Sequence, residues 1–111
     1  MNRKYSLKKS SEIENLVRQK KSVGNHYYTV YYMFDNKEFP QIAVSASKKL
    51  KTAAAKNYEK RIIREILRSE LDLLYGTKIL VVAKAAVKEI GFSEKKTRLL
   101  KLIRRINKEK K

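Results

Sequence analysis

The sequence contains no cysteine and no tryptophan, and it has only one proline and three glycines in 111 residues. Without cysteine, a disulfide scaffold, thiol catalysis, Cys-ligated zinc and an iron–sulfur cluster are all excluded. The scarcity of proline and glycine leaves no flexible linker or low-complexity insert. We therefore expect residues 1–111 to form a single domain whose elements follow one another closely.

Long apolar runs are also missing. The longest uninterrupted run, Ile79 to Ala83, is five residues long, whereas a membrane-spanning helix needs about 20. The basic N-terminus is not followed by the apolar segment of a secretory signal. The sequence therefore predicts no membrane partner and a cytoplasmic location.

Acidic residues are few, and basic residues are abundant. The 28 Lys and Arg residues against 11 Asp and Glu residues give a formal net charge of +17. A surface with this much self-repulsion implies a polyanionic partner, and nucleic acid is the first candidate. The hydrophobic content of 42% is sufficient for a core and excludes a basic disordered tail.

The N-terminal half predicts one helix and two strands. Ser11 and Glu14 have the spacing of a capping box, so a helix is expected to begin there and to end near Arg18 or Gln19. The aromatic and β-branched run from 27 to 34 predicts a strand, and the alternation within 41–45 predicts another. We expect these two strands to pair as an antiparallel hairpin.

The C-terminal half predicts a helix, a strand and a second helix. The long central helix is expected over 52–74, with Gly76 as a left-handed cap after it. The strand over 78–84 should be buried on both faces, and the last helix begins at Ser93, with a frayed tail over 107–111. The predicted order is thus α-β-β-α-β-α, an α/β fold.

Groups that could perform catalysis are scarce. Aspartate occurs only at 35 and 72, without a second carboxylate at a spacing that would share metal ions. His26 is the only histidine; it is a general base only if an orienting partner exists, and a surface histidine is the preferred interpretation. No glycine-rich phosphate loop or nucleophile motif is present. We therefore expect no catalytic residue and no metal site on the protein.

Basic and amide side chains share one face of the predicted central helix. They lie three or four residues apart, opposite the isoleucines: Asn57, Lys60, Arg61, Arg64 and Arg68. Such a face tracks phosphate groups. The alternative is a solvated helix face, but those faces usually mix charges, whereas Glu65 is the only acid on this side. Just upstream, Lys48 and Lys49 precede the helix N-terminus, where lysines and backbone N–H groups could share a phosphate.

Two further features suit nucleic acid. Strand alternation places Tyr27, Thr29 and Tyr31 on one face, where the rings could stack on unpaired bases; cross-strand packing is an equal alternative. The last helix adds a second basic surface, for which general solubility is the competing explanation.

The motifs together resemble the bacterial ribonuclease P protein component. The similarity rests on 44–49, on Lys56-Asn57-Tyr58 with the following Lys60-Arg61, and on 79–84, and it extends over nearly the whole chain. The family's most specific motif is Arg-Asn-Arg followed by Lys-Arg, so Asn57 is retained while the flanking arginines are replaced. The resemblance assigns binding of an RNA subunit to Lys48, Lys49, Lys56, Asn57, Lys60, Arg61, Arg64 and Arg68.

The resemblance also implies a fold and a second surface. The fold would be a three-layer sandwich with a left-handed βαβ crossover. A cleft for the 5′ leader of precursor tRNA would be lined by Ile13, Val17, Asn25 and Tyr31. Ile13 and Val17 stand where the family usually has phenylalanines, so hydrophobic contact would replace stacking there.

The function implied by the resemblance is that of a ribonuclease P subunit in tRNA 5′ maturation. The RNA subunit would perform Mg²⁺-dependent hydrolysis, and the protein would bind that RNA and precursor tRNA without a cofactor of its own. The alternative is a non-catalytic ribosomal or general RNA-binding module. A self-sufficient nuclease would need a metal cluster that the sequence does not contain.

Overall fold

The computed structural model describes residues 10–19, 21–35 and 39–109. These residues form three helices and four strands: α1 (Ser10–Arg18), β1 (Ser22–Gly24), β2 (Tyr28–Phe34), β3 (Gln41–Ala46), α2 (Ala53–Arg68), β4 (Thr77–Ala83) and α3 (Phe92–Glu109). Short 3₁₀ helices occupy Lys48–Leu50, Leu71–Leu74 and Ala85–Glu89. The predicted order of elements is confirmed, with β1 as an addition too short to give a sequence pattern.

The strands form one sheet in the order β1-β2-β4-β3. β4 lies in its interior, antiparallel to β2 and parallel to β3, so that Leu80 pairs with Tyr31 on one side and Ala43 on the other. The predicted hairpin between the second and third strands is therefore wrong. The apolar β4 takes the position between them because a strand buried on both faces gains most from neighbours on both sides.

The crossover from β3 through α2 to β4 joins two parallel neighbouring strands. That this crossover is left-handed is implied by the family resemblance and stays a prediction. α2 is shorter than predicted, since it ends at Arg68, and Leu74 lies in a separate 3₁₀ helix. The Ser69 hydroxyl donates to the Ile66 carbonyl at this end. Gly76 has the expected left-handed conformation, with φ of 73°.

Two hydrophobic cores lie on opposite faces of the sheet. The larger core joins α2 and α3 to the inward residues of the strands, such as Val30, Ile79 and Val81. The smaller core is formed by Leu16 of α1 with Ala43 and Leu80. The result is the predicted three-layer α/β sandwich, with α1 on one face and the two longer helices on the other.

At the N-terminal end of the described chain, α1 begins at Ser10, so Ser11 lies inside its first turn instead of capping it. The apolar side chains of α1 are unevenly buried: Leu16 is fully buried, Ile13 is half-buried and Val17 is 43% exposed. Val17 is therefore accessible to a ligand.

Candidate nucleic-acid interface

The predicted basic residues of α2 form one continuous surface, which we call the α2 basic face: Asn57, Lys60, Arg61, Arg64 and Arg68. At about 100° per residue, all but Lys60 fall within an arc of about 60°. This arc lies opposite the fully buried Ile63 and Ile66. Lys60 borders the arc and is half-buried, whereas the other four side chains are exposed.

This face keeps its positive charge. Arg68 makes an ion pair with Glu65 at 2.7 Å, and both side chains are at least half exposed, so solvent screens the pair. Within the described ranges, no carboxylate forms an ion pair with Lys60, Arg61 or Arg64. Their charges are therefore free to meet phosphate groups.

The other acid of α2 is removed from this face by burial. Glu59 points to the protein interior and accepts hydrogen bonds of 3.0 and 3.1 Å from Lys95 of α3. The Tyr58 ring, at the position of a family arginine, is 52% exposed, and Lys95 Nζ lies 5.3 Å from its centroid. Tyr58 therefore belongs to the α2–α3 contact and not to the α2 basic face.

Lys48, Lys49 and Lys56 surround the start of α2. The first two are exposed in the 3₁₀ helix, and Lys56 is half-buried one turn before Lys60. Two of the backbone N–H groups expected to bind phosphate here are already used: the Ser47 hydroxyl accepts from Lys49 N at 3.1 Å, and the Thr52 hydroxyl accepts from Ala55 N at 3.0 Å. In this region the lysine side chains, and not these two amides, are available to bind a phosphate group.

The opposite face of the sheet carries part of the predicted leader cleft. Ile13 and Tyr31 are half-buried and pack against the smaller core. A second half-buried row lies on the same face, two residues along each strand from Tyr31 and its paired residues. This row consists of Thr29, Val82 and Ser45. With the exposed Val17, these residues form a surface that combines apolar groups, hydroxyls and one aromatic ring.

Asn25 and Tyr27 do not lie on that surface. The Asn25 side chain accepts hydrogen bonds from the backbone N–H groups of Tyr27 and Tyr28, each at 2.8 Å, and it donates to the Arg98 carbonyl of α3 at 3.4 Å. Tyr27 packs against the larger core, with the Arg98 guanidinium 5.8 Å from its ring centroid. The expectation that Tyr27 shares a face with Tyr31 is wrong because β2 begins only at Tyr28.

The remaining titratable groups that the structure describes form no catalytic constellation. His26 is exposed and makes an edge contact with Tyr27 at 5.1 Å between ring centroids. Within the described part of the chain, no group of three His, Asp or Glu side chains could hold a metal ion. Over the same residues, no helix has the length and apolar character needed to cross a membrane.

Comparison with known proteins gives a consistent result. The family model described as Ribonuclease P matches residues 1–107. The ribonuclease P protein component of Phytoplasma australiense is 36% identical, covering 96% of this chain and 95% of its own length. That of Geobacillus thermodenitrificans is 33% identical, covering 95% and 88%. The solved structure of the Staphylococcus aureus RNase P protein is similar with a TM-score of 0.81 and 25% identity, covering 90% of this chain and 93% of that one.

Proposed function

The chain belongs to the ribonuclease P protein family, and from this premise we propose how its surfaces divide the binding of RNA. As a member of this family, it is the protein subunit of ribonuclease P, the endoribonuclease that processes the 5′ ends of tRNA. The observation that supports this division is the separation of two surfaces onto opposite faces of the sheet.

The α2 basic face binds the RNA subunit. Three of its side chains, Lys60, Arg61 and Arg64, have no described carboxylate partner, so binding RNA requires no internal ion pair to break. Lys48, Lys49 and Lys56 extend the same positive surface around the start of α2. The guanidinium groups of Arg61 and Arg64 can bind phosphate oxygens in pairs.

The surface between α1 and the sheet holds the 5′ leader of precursor tRNA. Tyr31 offers a half-buried ring held by the smaller core, and a stack on an unpaired base contributes about 1 to 3 kcal/mol. Ile13 and the exposed Val17 supply apolar contact beside it. Asn25 acts on this surface through the position of β2, because its own side chain is bonded to the backbone.

The chemistry belongs to the RNA subunit, which carries the Mg²⁺ ions. Among the described residues, no group of three His, Asp or Glu side chains is placed to hold a metal ion. The protein contributes binding and orientation in the cytoplasm, where precursor tRNA is processed.

The first experiment replaces Lys60, Arg61 and Arg64 by alanine together. We expect the slope of log K against log salt concentration for the cognate RNA subunit to fall by about 0.7 to 0.9 for each phosphate that the variant no longer binds. A matched variant removes three exposed cations elsewhere, Lys88, Lys96 and Lys108. Equal slopes for the wild type and the triple alanine variant would show that the α2 basic face does not contact the RNA subunit.

The second experiment tests Tyr31. The Tyr31→Ala protein, assembled with the RNA subunit, should lose about 1 to 3 kcal/mol of affinity for precursor tRNA and little for mature tRNA. Tyr31→Phe keeps the ring and should behave as the wild type. Equal losses for both tRNAs would show that Tyr31 acts only in the core.

A further inference from the structure

A concavity of about 210 Å³ lies between β1 and α3, on a different side of the molecule from both surfaces discussed above. We call it the α3 pocket. Its lining residues are Gly24, Asn25, Arg98, Lys101, Leu102 and Arg105. α3 contacts β1 and β2, whereas α2 contacts β3, so this pocket and the α2 basic face lie toward opposite edges of the sheet.

The charge of the α3 pocket is strongly positive. Arg98, Lys101 and Arg105 are three and four residues apart, so their side chains lie on one helix face. Arg98 makes an exposed pair with Glu94 at 3.5 Å. No ion pair joins Lys101 or Arg105 to a carboxylate in the part of the chain that the structure describes. Like charges at these spacings repel, and an anion between them would relieve the repulsion.

The walls of the pocket are fixed in place. Asn25 donates to the Arg98 carbonyl at 3.4 Å and accepts from two backbone N–H groups at the start of β2. Leu102 is 3% exposed and anchors α3 in the larger core. The volume is below the roughly 300 Å³ of pockets that take drug-sized ligands, which suits a phosphate with part of its sugar better than a whole nucleotide.

We propose that the α3 pocket binds a phosphodiester group of a single-stranded RNA segment, as a third RNA contact of this protein. RNA is favoured over an acidic protein because the flexible, close-spaced charges of a phosphodiester chain match three cations within two helical turns. Arg98 and Arg105 add guanidinium groups suited to phosphate oxygens. Arg98 already lies over the Tyr27 ring, so its guanidinium group is in position before an RNA phosphate binds.

The test compares two doubly substituted proteins with the same loss of charge. Lys101→Ala/Arg105→Ala removes the unpaired cations of the pocket, and Lys88→Ala/Lys96→Ala removes two exposed lysines that do not line it. Affinity for a labelled oligouridylate is measured over a range of KCl concentrations. We expect the pocket variant to lower the slope by about 0.7 for each phosphate that it no longer binds, and the control to leave it unchanged. Equal slopes for both variants would overturn the proposal.

Amide chemical shifts localise the ligand. In ¹H–¹⁵N spectra of the wild type, oligouridylate should shift the amides of Gly24, Asn25 and 98–105, and the pocket variant should not show these shifts. The proposal is overturned if inorganic phosphate produces the same shifts at the same phosphate concentration, since the pocket would then take a free ion. It is equally overturned if oligoglutamate competes as well as RNA. If only the Lys60, Arg61 and Arg64 variant shows a reduced slope, this third site is rejected. The proposed RNA binding by the α2 basic face is then still supported.

Discussion

Asn25 connects the start of β2 to α3, and its role in stability can be separated from a role in binding. Its Oδ1 satisfies two partly buried backbone N–H groups, those of Tyr27 and Tyr28. Asn25→Ala leaves both without a partner and should lower the free energy of unfolding by about 1 to 3 kcal/mol, measured by urea denaturation. Asn25→Asp keeps the acceptor and should cost much less. Equal losses for Ala and Asp would show that the side-chain oxygen is not what holds this turn.

Tyr32 gives a second residue-level prediction, on pH. Burial, with a 2.6 Å hydrogen bond donated to Glu109, raises the pKa of Tyr32 from 10.0 to about 12. Because the folded-state pKa is the higher one, the neutral hydroxyl stabilises the fold fully below pH 10, and this contribution is lost as the pH rises toward 12. The stability advantage of the wild type over Tyr32→Phe should therefore shrink across that range.

The control for Tyr32 is Tyr58→Phe, since the Tyr58 ring is 52% exposed. Its free energy of unfolding should match that of the wild type at neutral pH, which shows the effect of losing an exposed tyrosine hydroxyl. A constant advantage of the wild type over Tyr32→Phe up to pH 12 would contradict the raised pKa of Tyr32.

At the scale of elements, α2 and α3 are joined by a buried ion pair. The Glu59 and Lys95 side chains are each 5% exposed and 3.0 Å apart. The Tyr28 hydroxyl is buried, has no hydrogen-bond partner among the described residues, and its pKa is raised by burial and secondarily by Glu59. An unpaired charge in this region of the core is therefore expected to destabilise the fold strongly.

Removing one partner of this pair should be far more damaging than removing both. Lys95→Met leaves a buried carboxylate and should cost about 3 to 5 kcal/mol of unfolding free energy, whereas Glu59→Leu/Lys95→Met should recover most of it. Denaturant unfolding of the two single variants and the double variant measures the coupling. Additive losses would mean that the two side chains act independently.

The elements also show where sequence reasoning succeeds and fails. The α2 basic face was predictable because helical periodicity alone places Asn57, Arg61 and Arg64 together. The strand pairing was not, since local turn signals favoured a hairpin, while the position of β4 is decided by burial over long sequence separations. The α3 pocket could not be predicted from the sequence either, because Asn25 and Arg98 are 73 residues apart and come into contact only in the folded chain.

At the scale of the whole molecule, the net charge of +17 acts against the compact state. Five ion pairs join described residues, and four of them involve at least one side chain exposed by about a third or more, so they offset little of the repulsion. Binding of a polyanion should therefore stabilise the fold as well as form a complex.

This leads to a final prediction about ions. If repulsion alone limits stability, raising the ionic strength with NaCl should raise the unfolding free energy through screening. If the α2 basic face also binds free anions, sodium sulfate at matched ionic strength should raise the unfolding free energy further. Because sulfate also strengthens hydrophobic burial in general, the comparison must include the variant Lys60→Ala/Arg61→Ala/Arg64→Ala, with Lys101→Ala/Arg105→Ala as a control for the loss of charge. The α2 variant should keep the general increase and lose the site-specific part, since it removes the groups that hold the anion. An identical sulfate increment in all three proteins would mean that the charge acts only as a diffuse field, and that the α2 basic face holds no anion in place.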